Sequence, residues 1–372
     1  MPVPDRPLAP VVRTHLERIT GPLGIWQHAD GADPDPAFGT CVDDVARALT
    51  VDLLQRHALG WEAVSGAAHR SMAYLTAAFD PETGGFHDFR DAAGVWQDTI
   101  GSQDCQGRAM LSLGIAAREA PEVRLRMDAR DLLLAALPAA RRLTSPRAMA
   151  SVILGLDATL DGGSDLEVER VFAHLVGRLR RVFSGLDLDG DWPWPEATLT
   201  YENALLPHAL IVAGRRTADP GLRRVGLGVL DWLIAIQTTR RGMFTPVGCD
   251  GWWPRGGTRS RFDQQPIEAT ALILAASAAW SVTDDAGYRR AAESAYGWFL
   301  GDNEIGTPVA NVATGGCHDG LSEDHVNLNQ GAESTLMWLT ALETMRGLRT
   351  RATAIRVRRT RDASPMLAGT RS

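Results

Sequence analysis

Thr270–Trp280 reads TALILAASAAW, eleven residues without a charge and with apolar side chains on nearly every helical face. A helix apolar all round is buried on both sides. Five other stretches share this character: Asp43–Leu54, Cys105–Ala117, Pro146–Leu160, Asn203–Ala213 and Ala332–Met345. The full fifth member is read as Pro266–Trp280. Before each lies a segment with one apolar stripe at helical spacing. These are Leu8–Ile19, Trp61–Ala78, Leu125–Leu143, Leu166–Phe183, Leu222–Gln237 and Tyr288–Leu300. Pro138 is expected to kink or end the third early.

Six amphipathic helices alternating with six buried ones predict two concentric layers. The fold class is all-α, an (α/α)6 toroid of six helix hairpins over residues 1–346. An irregular α-solenoid is the competing arrangement; the count stops at six, which favours closure. No strand-like alternation is read. Boundary signals agree with the helices. Thr40–Asp43 reads as a capping box, Ser145–Pro146 as an N-cap followed by proline, and Asp263 as a cap for the fifth inner helix. Residues 347–372 are Arg-rich without a core face and are expected to be a disordered tail.

The composition is that of an ordinary soluble globular protein, 372 residues with 45% hydrophobic and 22% charged side chains. Net charge is −7, which argues against nucleic acid as a partner. All 38 basic residues are arginine, so Schiff-base lysine chemistry and a P-loop lysine are excluded. No signal core and no apolar run of about 18 residues are read, so the expectation is a cytoplasmic protein with no membrane partner.

Five of the six junctions leading into buried helices are long: 26–44, 80–104, 186–202, 241–268 and 304–333. They carry 24 of the 45 acidic residues and only five arginines. They also hold Trp26, Trp96, Trp192, Trp194, Trp252 and Trp253, six of the eleven tryptophans. In a toroid they all open at one end. Loops of this length are usually functional. Indole faces stack on sugar rings, and paired carboxylates cleave glycosidic bonds. An oligosaccharide or glycan is therefore the expected ligand. Turn-forming Asp and gap-filling Trp are the plainer reading of any one residue.

The candidate acids are Asp44 in TCVDDVAR, Asp104 in QDCQGR with Arg108 one turn on, Glu196 in WPWPE, Glu268 in FDQQPIE and Asp319 in GGCHDGL. Glu196, between prolines and indoles, is the expected general acid, since desolvation raises a carboxyl pKa. Asp44 is the expected base and Asp319 the reserve, on a glycine-flanked loop able to swing. Inversion needs the two carboxyls about 6.5–9.5 Å apart. Candidate ligand contacts are the tryptophans, Arg108, Gln264, Gln265, His318, Asn329, Gln330 and Glu333. Arg255, Arg259 and Arg261 pair with Asp250 or Asp263, or Arg261 holds an anionic group of the ligand. Cys41, Cys105, Cys249 and Cys317 with His318 form a weak candidate zinc set. Buried thiols fit better, and no cofactor is expected.

CVDDVARAL, QDCQGRA, YENALLPHAL, FDQQPIEA and GCHDGL…NLNQGAEST, spread over residues 8–346, resemble the (α/α)6 six-hairpin glycosidase-like superfamily. More narrowly they are similar to a bacterial family found beside or fused to glycosyltransferases. The resemblance implies an inverting glycoside hydrolase or phosphorylase, with catalytic acids on junctions into inner helices. A sugar epimerase or isomerase, and a non-catalytic glycan-binding partner of a glycosyltransferase, are the alternatives it leaves. An epimerase would need proton shuttles, usually histidine.

Overall fold

The computed structural model describes residues 7–363, with side chains through 355. Among the described residues lie α1 Thr14–Arg18, α2 Val42–Leu59, α3 Trp61–Ala78, α4 Gln103–Glu119, α5 Val123–Ala140 and α6 Pro146–Asp161. They continue with α7 Leu166–Val182, α8 Leu205–Arg216, α9 Pro220–Ile236, α10 Pro266–Thr283, α11 Ala286–Phe299 and α12 Ala332–Ala363. The even-numbered helices form the inner ring. Each packs on the next, and α12 packs back on α2, so the ring closes and an open solenoid is ruled out. Each odd-numbered helix from α3 to α11 covers the inner helix before it.

Sequence separates the layers. On α7 the buried positions Val168, Val171, Phe172, Leu175, Val176 and Leu179 form one stripe. On α10 burial runs around the helix. α10 is long and apolar enough to cross a membrane by composition, contrary to the expectation from sequence, but 67% of it is buried as the wall of the ring. α4 and α6 touch backbone to backbone. A Cβ on Gly114 would stand 2.0 Å from the Gly155 carbonyl oxygen, so glycine is required there despite its low helix propensity.

Inner helices turn into outer ones through short links, Gly60 with φ 84° being the tightest. Asp165, Asp219 and Asp285 cap α7, α9 and α11 with their carboxylates. The return junctions are long, except the five residues between α5 and α6, and they open at the other end, the mouth.

Four expectations change. The first outer helix shrinks to five residues; Pro7, Pro10 and the β-branched Val11 and Val12 disfavour its first turns. The chain instead forms strands Thr20–Gly21, Gly24–Asp30 and Asp33–Cys41, which join Phe89–Arg90 in a small antiparallel sheet. Cys41, not Thr40, is the N-cap of α2, with no side-chain capping bond, and Gln265 occupies that place on α10 in place of Asp263. Ser145 does cap α6, and α5 ends two residues after Pro138.

The last helix runs past Arg346. Leu348 is buried, Ile355 packs against the core, and Arg349 pairs with Glu293 on α11. The segment 347–355 therefore has a core face, and residues 364–372 lie outside the described residues. Leu348→Ala is expected to lower stability by about 2–4 kcal/mol. Truncation after Arg346 is expected to lower the melting temperature. A truncated chain that melts with the full one would show that this segment contributes no packing.

Candidate active site at the mouth of the ring

The mouth contains a cleft of about 610 Å³ over the first turns of the inner helices, within the roughly 300–1,000 Å³ usual for small-molecule sites. Asp43, Asp88, Asp104, Arg108, Gln103 and Glu333 line it together with Tyr201, Trp252, Gln265, Ile267, Phe89 and Ser102. Five sequence-selected residues meet here: Asp104, Arg108, Trp252, Gln265 and Glu333.

Three inner-helix arginines brace the acids. Arg47 on α2 binds Asp44 at 3.0 Å and Glu333 at 2.7 Å, joining the first sector of the ring to the sixth. Arg108 on α4 binds Asp43 at 2.5 Å and Glu202 at 3.0 Å, joining sectors one, two and four. Arg147 on α6 donates to both oxygens of Glu196, at 2.9 and 3.0 Å, and to the Tyr201 carbonyl. Its guanidinium also lies 4.6 Å from the Tyr201 ring centroid. Arg47, Arg147, Tyr201, Asp88 and the pairing of Asp43 are the site residues that the sequence reading missed. The spacing of Arg47 and Arg108 one turn past an acid was the available signal, used only for Arg108.

The acids differ in surroundings. Asp104 accepts from the Tyr201 phenol at 2.6 Å and from the Ser145 hydroxyl at 3.1 Å. Asp44 is buried, bonded by Arg47 and the Cys41 thiol; burial, only partly offset by Arg47, pushes its carboxyl up to about 6. Asp88 is pushed up to about 6 by burial first and then by Asp43. Glu268, in the first turn of α10, is 3% exposed, with Oε2 accepting from Asn203 and Oε1 unpartnered. Burial raises it to about 7. Asp319 accepts from the Gly331 amide at 2.8 Å, which pins its loop to the start of α12 and removes the swing expected of it.

Other candidates hold the framework. Trp194 is 2% exposed and offers no face to a ligand. Trp192 and Trp253 pack edge to face with centroids 5.5 Å apart, against Trp232 of α9. Trp26 covers Gly21, and Trp96 stacks on His87. Gln264 is fully buried and accepts from the Trp298 indole. Asn329 and Gln330 clamp Gly31 at the tip of the N-terminal hairpin, and His318 bonds the Leu328 carbonyl. Arg261 pairs with Glu304 at 3.3 Å, and Arg259 caps backbone carbonyls, which replaces the pairing expected with Asp250 or Asp263. The proposed set Cys41, Cys105, Cys249, Cys317 and His318 does not converge. Cys41 bonds Asp44, Cys249 bonds Asp263, and the one metal-capable group among the described residues is Asp43, Asp88 and Cys105.

No family model matches the chain, and no curated protein matches it in sequence. Solved structures do match in fold. Cellobiose 2-epimerase from Spirochaeta thermophila aligns with TM-score 0.69 and 13% identity, over 91% of this chain and 96% of that one. A D-mannose isomerase aligns at 0.68 and 13%, over 90% and 94%. The GH76 α-mannanase of Bacteroides thetaiotaomicron aligns at 0.61 and 10%, over 85% and 88%. These likenesses show the (α/α)6 toroid as the fold of this chain.

Glu268 gives a pH test. Its folded pKa lies above the unfolded value, so its protonated form is favoured in the fold. The associated stability is complete below about pH 4.5 and is lost as pH rises through about 7. Glu268→Gln keeps a neutral acceptor for Asn203 and is expected to gain up to about 3 kcal/mol over wild type at pH 8. Urea unfolding of both proteins at pH 4.5 and 8 reads this. A gap that does not widen with pH would show that Glu268 is not held protonated by burial.

Proposed function

We propose that the protein cleaves a glycosidic bond in a sugar chain lying across the mouth, with Asp104 and Glu333 as its carboxyl pair. The observation that carries this reading is the cleft itself: the two acids enter its lining from α4 and α12, in different sectors of the ring, and share that lining with Trp252. One protonates the leaving oxygen while the other takes a proton from the attacking water. Trp252 offers the flat face for a sugar ring, and Gln265 reaches hydroxyls. The earlier choices step back. Arg147 holds both oxygens of Glu196, outside the cleft lining, and Asp44 is enclosed by Arg47 and Cys41.

Water is favoured over phosphate as the acceptor. Arg108, the cation in the cleft lining, is already bound to Asp43 and Glu202. Cleavage is favoured over epimerisation because the lining contains no histidine. The sugar-acting relatives in fold are consistent with a carbohydrate substrate of either kind.

A panel of oligosaccharides assayed for new reducing ends tests the proposal, with solvent deuterium uptake at sugar carbons reporting epimerisation. Asp104→Asn and Glu333→Gln are each expected to lower turnover by about 10²–10⁴-fold with unchanged circular dichroism. Each variant loses one limb of the pH–rate profile, and the limb lost assigns acid and base. Wild-type turnover in either variant would remove that residue from the pair. Trp252→Ala is expected to weaken ligand binding by about 1 kcal/mol, whereas Trp192→Ala lowers stability and leaves KM unchanged. The reverse pattern would place the sugar on the other indole.

A further inference from the structure

Asp43 and Asp88, in the wall of the cleft, meet the buried Cys105. One carboxylate oxygen from each aspartate and the Cys105 sulfur lie within 4.8 Å of one another. Three segments deliver them: the first turn of α2, the loop beside strand Phe89–Arg90, and the first turn of α4. The Val42 amide donates to the Asp88 carbonyl at 3.0 Å, and Cys41 pairs with Phe89, which docks the loop on α2.

The bonds that fix the two carboxylates leave one side of each open. Arg108 holds Oδ2 of Asp43, and the Ser102 hydroxyl donates to Oδ2 of Asp88 at 3.2 Å. Oδ1 of Asp43 and Oδ1 of Asp88 are both buried and have no donor. Asp88 as a whole is only 4% exposed. A buried carboxylate oxygen without a donor is unfavourable, and two beside each other repel. The missing partner is positive and small, and it stands next to a thiol.

We propose that Asp43, Asp88 and Cys105 form a binding site for a divalent cation of the zinc class, with one coordination position open to the cleft. The thiol selects a zinc-class ion over magnesium or calcium, which prefer all-oxygen shells. Three protein ligands and an open fourth position match catalytic rather than structural zinc sites. Zinc bonds of about 2.0–2.3 Å place tetrahedral ligands roughly 3.3–3.8 Å apart, so the three atoms need close by no more than about 1.5 Å on binding. The Cys105 proton leaves to solvent, and the ion takes the thiolate and the two carboxylate oxygens. Arg108 stays on the far oxygen of Asp43 as a second, orienting partner. The ion's role, polarising a sugar hydroxyl or a water at the open position, rests on the sugar-cleaving reading above; its uptake does not.

The test uses the full chain, stripped with chelator and titrated with cobalt(II) alone, without sugar. The expected result is one ion per chain, a thiolate-to-cobalt charge-transfer band and a raised melting temperature. Cys105→Ser abolishes the band, Asp88→Asn weakens uptake about tenfold or more, and Cys41→Ser keeps both. Absence of stoichiometric uptake, or a band that survives Cys105→Ser, overturns the site and points to a proton shared by the two aspartates. Stoichiometric uptake with the band, in a protein that cleaves no glycan, supports the site and removes the sugar reading instead. Glycan cleavage without uptake does the opposite.

Discussion

Where α4 and α6 cross, no side chain separates them: Gly114 lies against Gly155, and Gly107 against Ala148. That contact fixes how near two adjacent inner helices stand, and a six-membered closed ring passes any change in one spacing to the others. Site geometry inherits it. Asp104 belongs to α4, while Ser145, which bonds it, caps α6. A methyl group at Gly114 would force the two backbones apart, because its near neighbour is a carbonyl and not a mobile side chain. The bond that orients Asp104 would stretch with them.

The same closeness lets arginines cross between sectors. Arg47, Arg108 and Arg147 are each more than half enclosed, and each is satisfied by acids or carbonyls from junctions other than its own. Buried ion pairs of this kind add little net stability, since desolvation offsets attraction. Here they hold five acids in place and leave Asp104, Glu333 and the Asp43–Asp88 pair facing the cleft. An acidic mouth thus becomes an ordered one.

The ring was legible because burial all round a helix, as in Thr270–Trp280, leaves a distinct sequence trace, and because each long junction is rich in Asp and Gly. Asp104, Arg108, Gln265 and Glu333 could be selected for a related reason: they sit in or near a first turn, where position in sequence fixes position in space, whereas Trp252 was selected as an indole in a long junction. Glu196 and Trp194 misled because WPWPE looks like a rigid subsite from either side, and sequence does not say which face meets the outer helix α9. Asp88 was passed over because it lies mid-junction, and only the pairing of Cys41 with Phe89 carries it to α2. The hairpin at 24–41 was missed because two prolines and repeated aspartates hide its alternation.

The hairpin tip has a consequence for how the chain is made. Gly31 donates to Asn329, 298 positions away, and accepts from the Gln330 amide; His15 bonds the Gln330 carbonyl, 315 positions away. None of these partners exists until residues 329 and 330 have left the ribosome. The strands of the hairpin find partners in Phe89–Arg90 early, whereas its tip is synthesised early and finds its partners late. During synthesis Arg47 likewise lacks Glu333, so the nascent ring carries an incomplete set of counter-charges at its mouth. The final helix supplies the missing wall and the missing acid, and the junction just before it supplies the clasp.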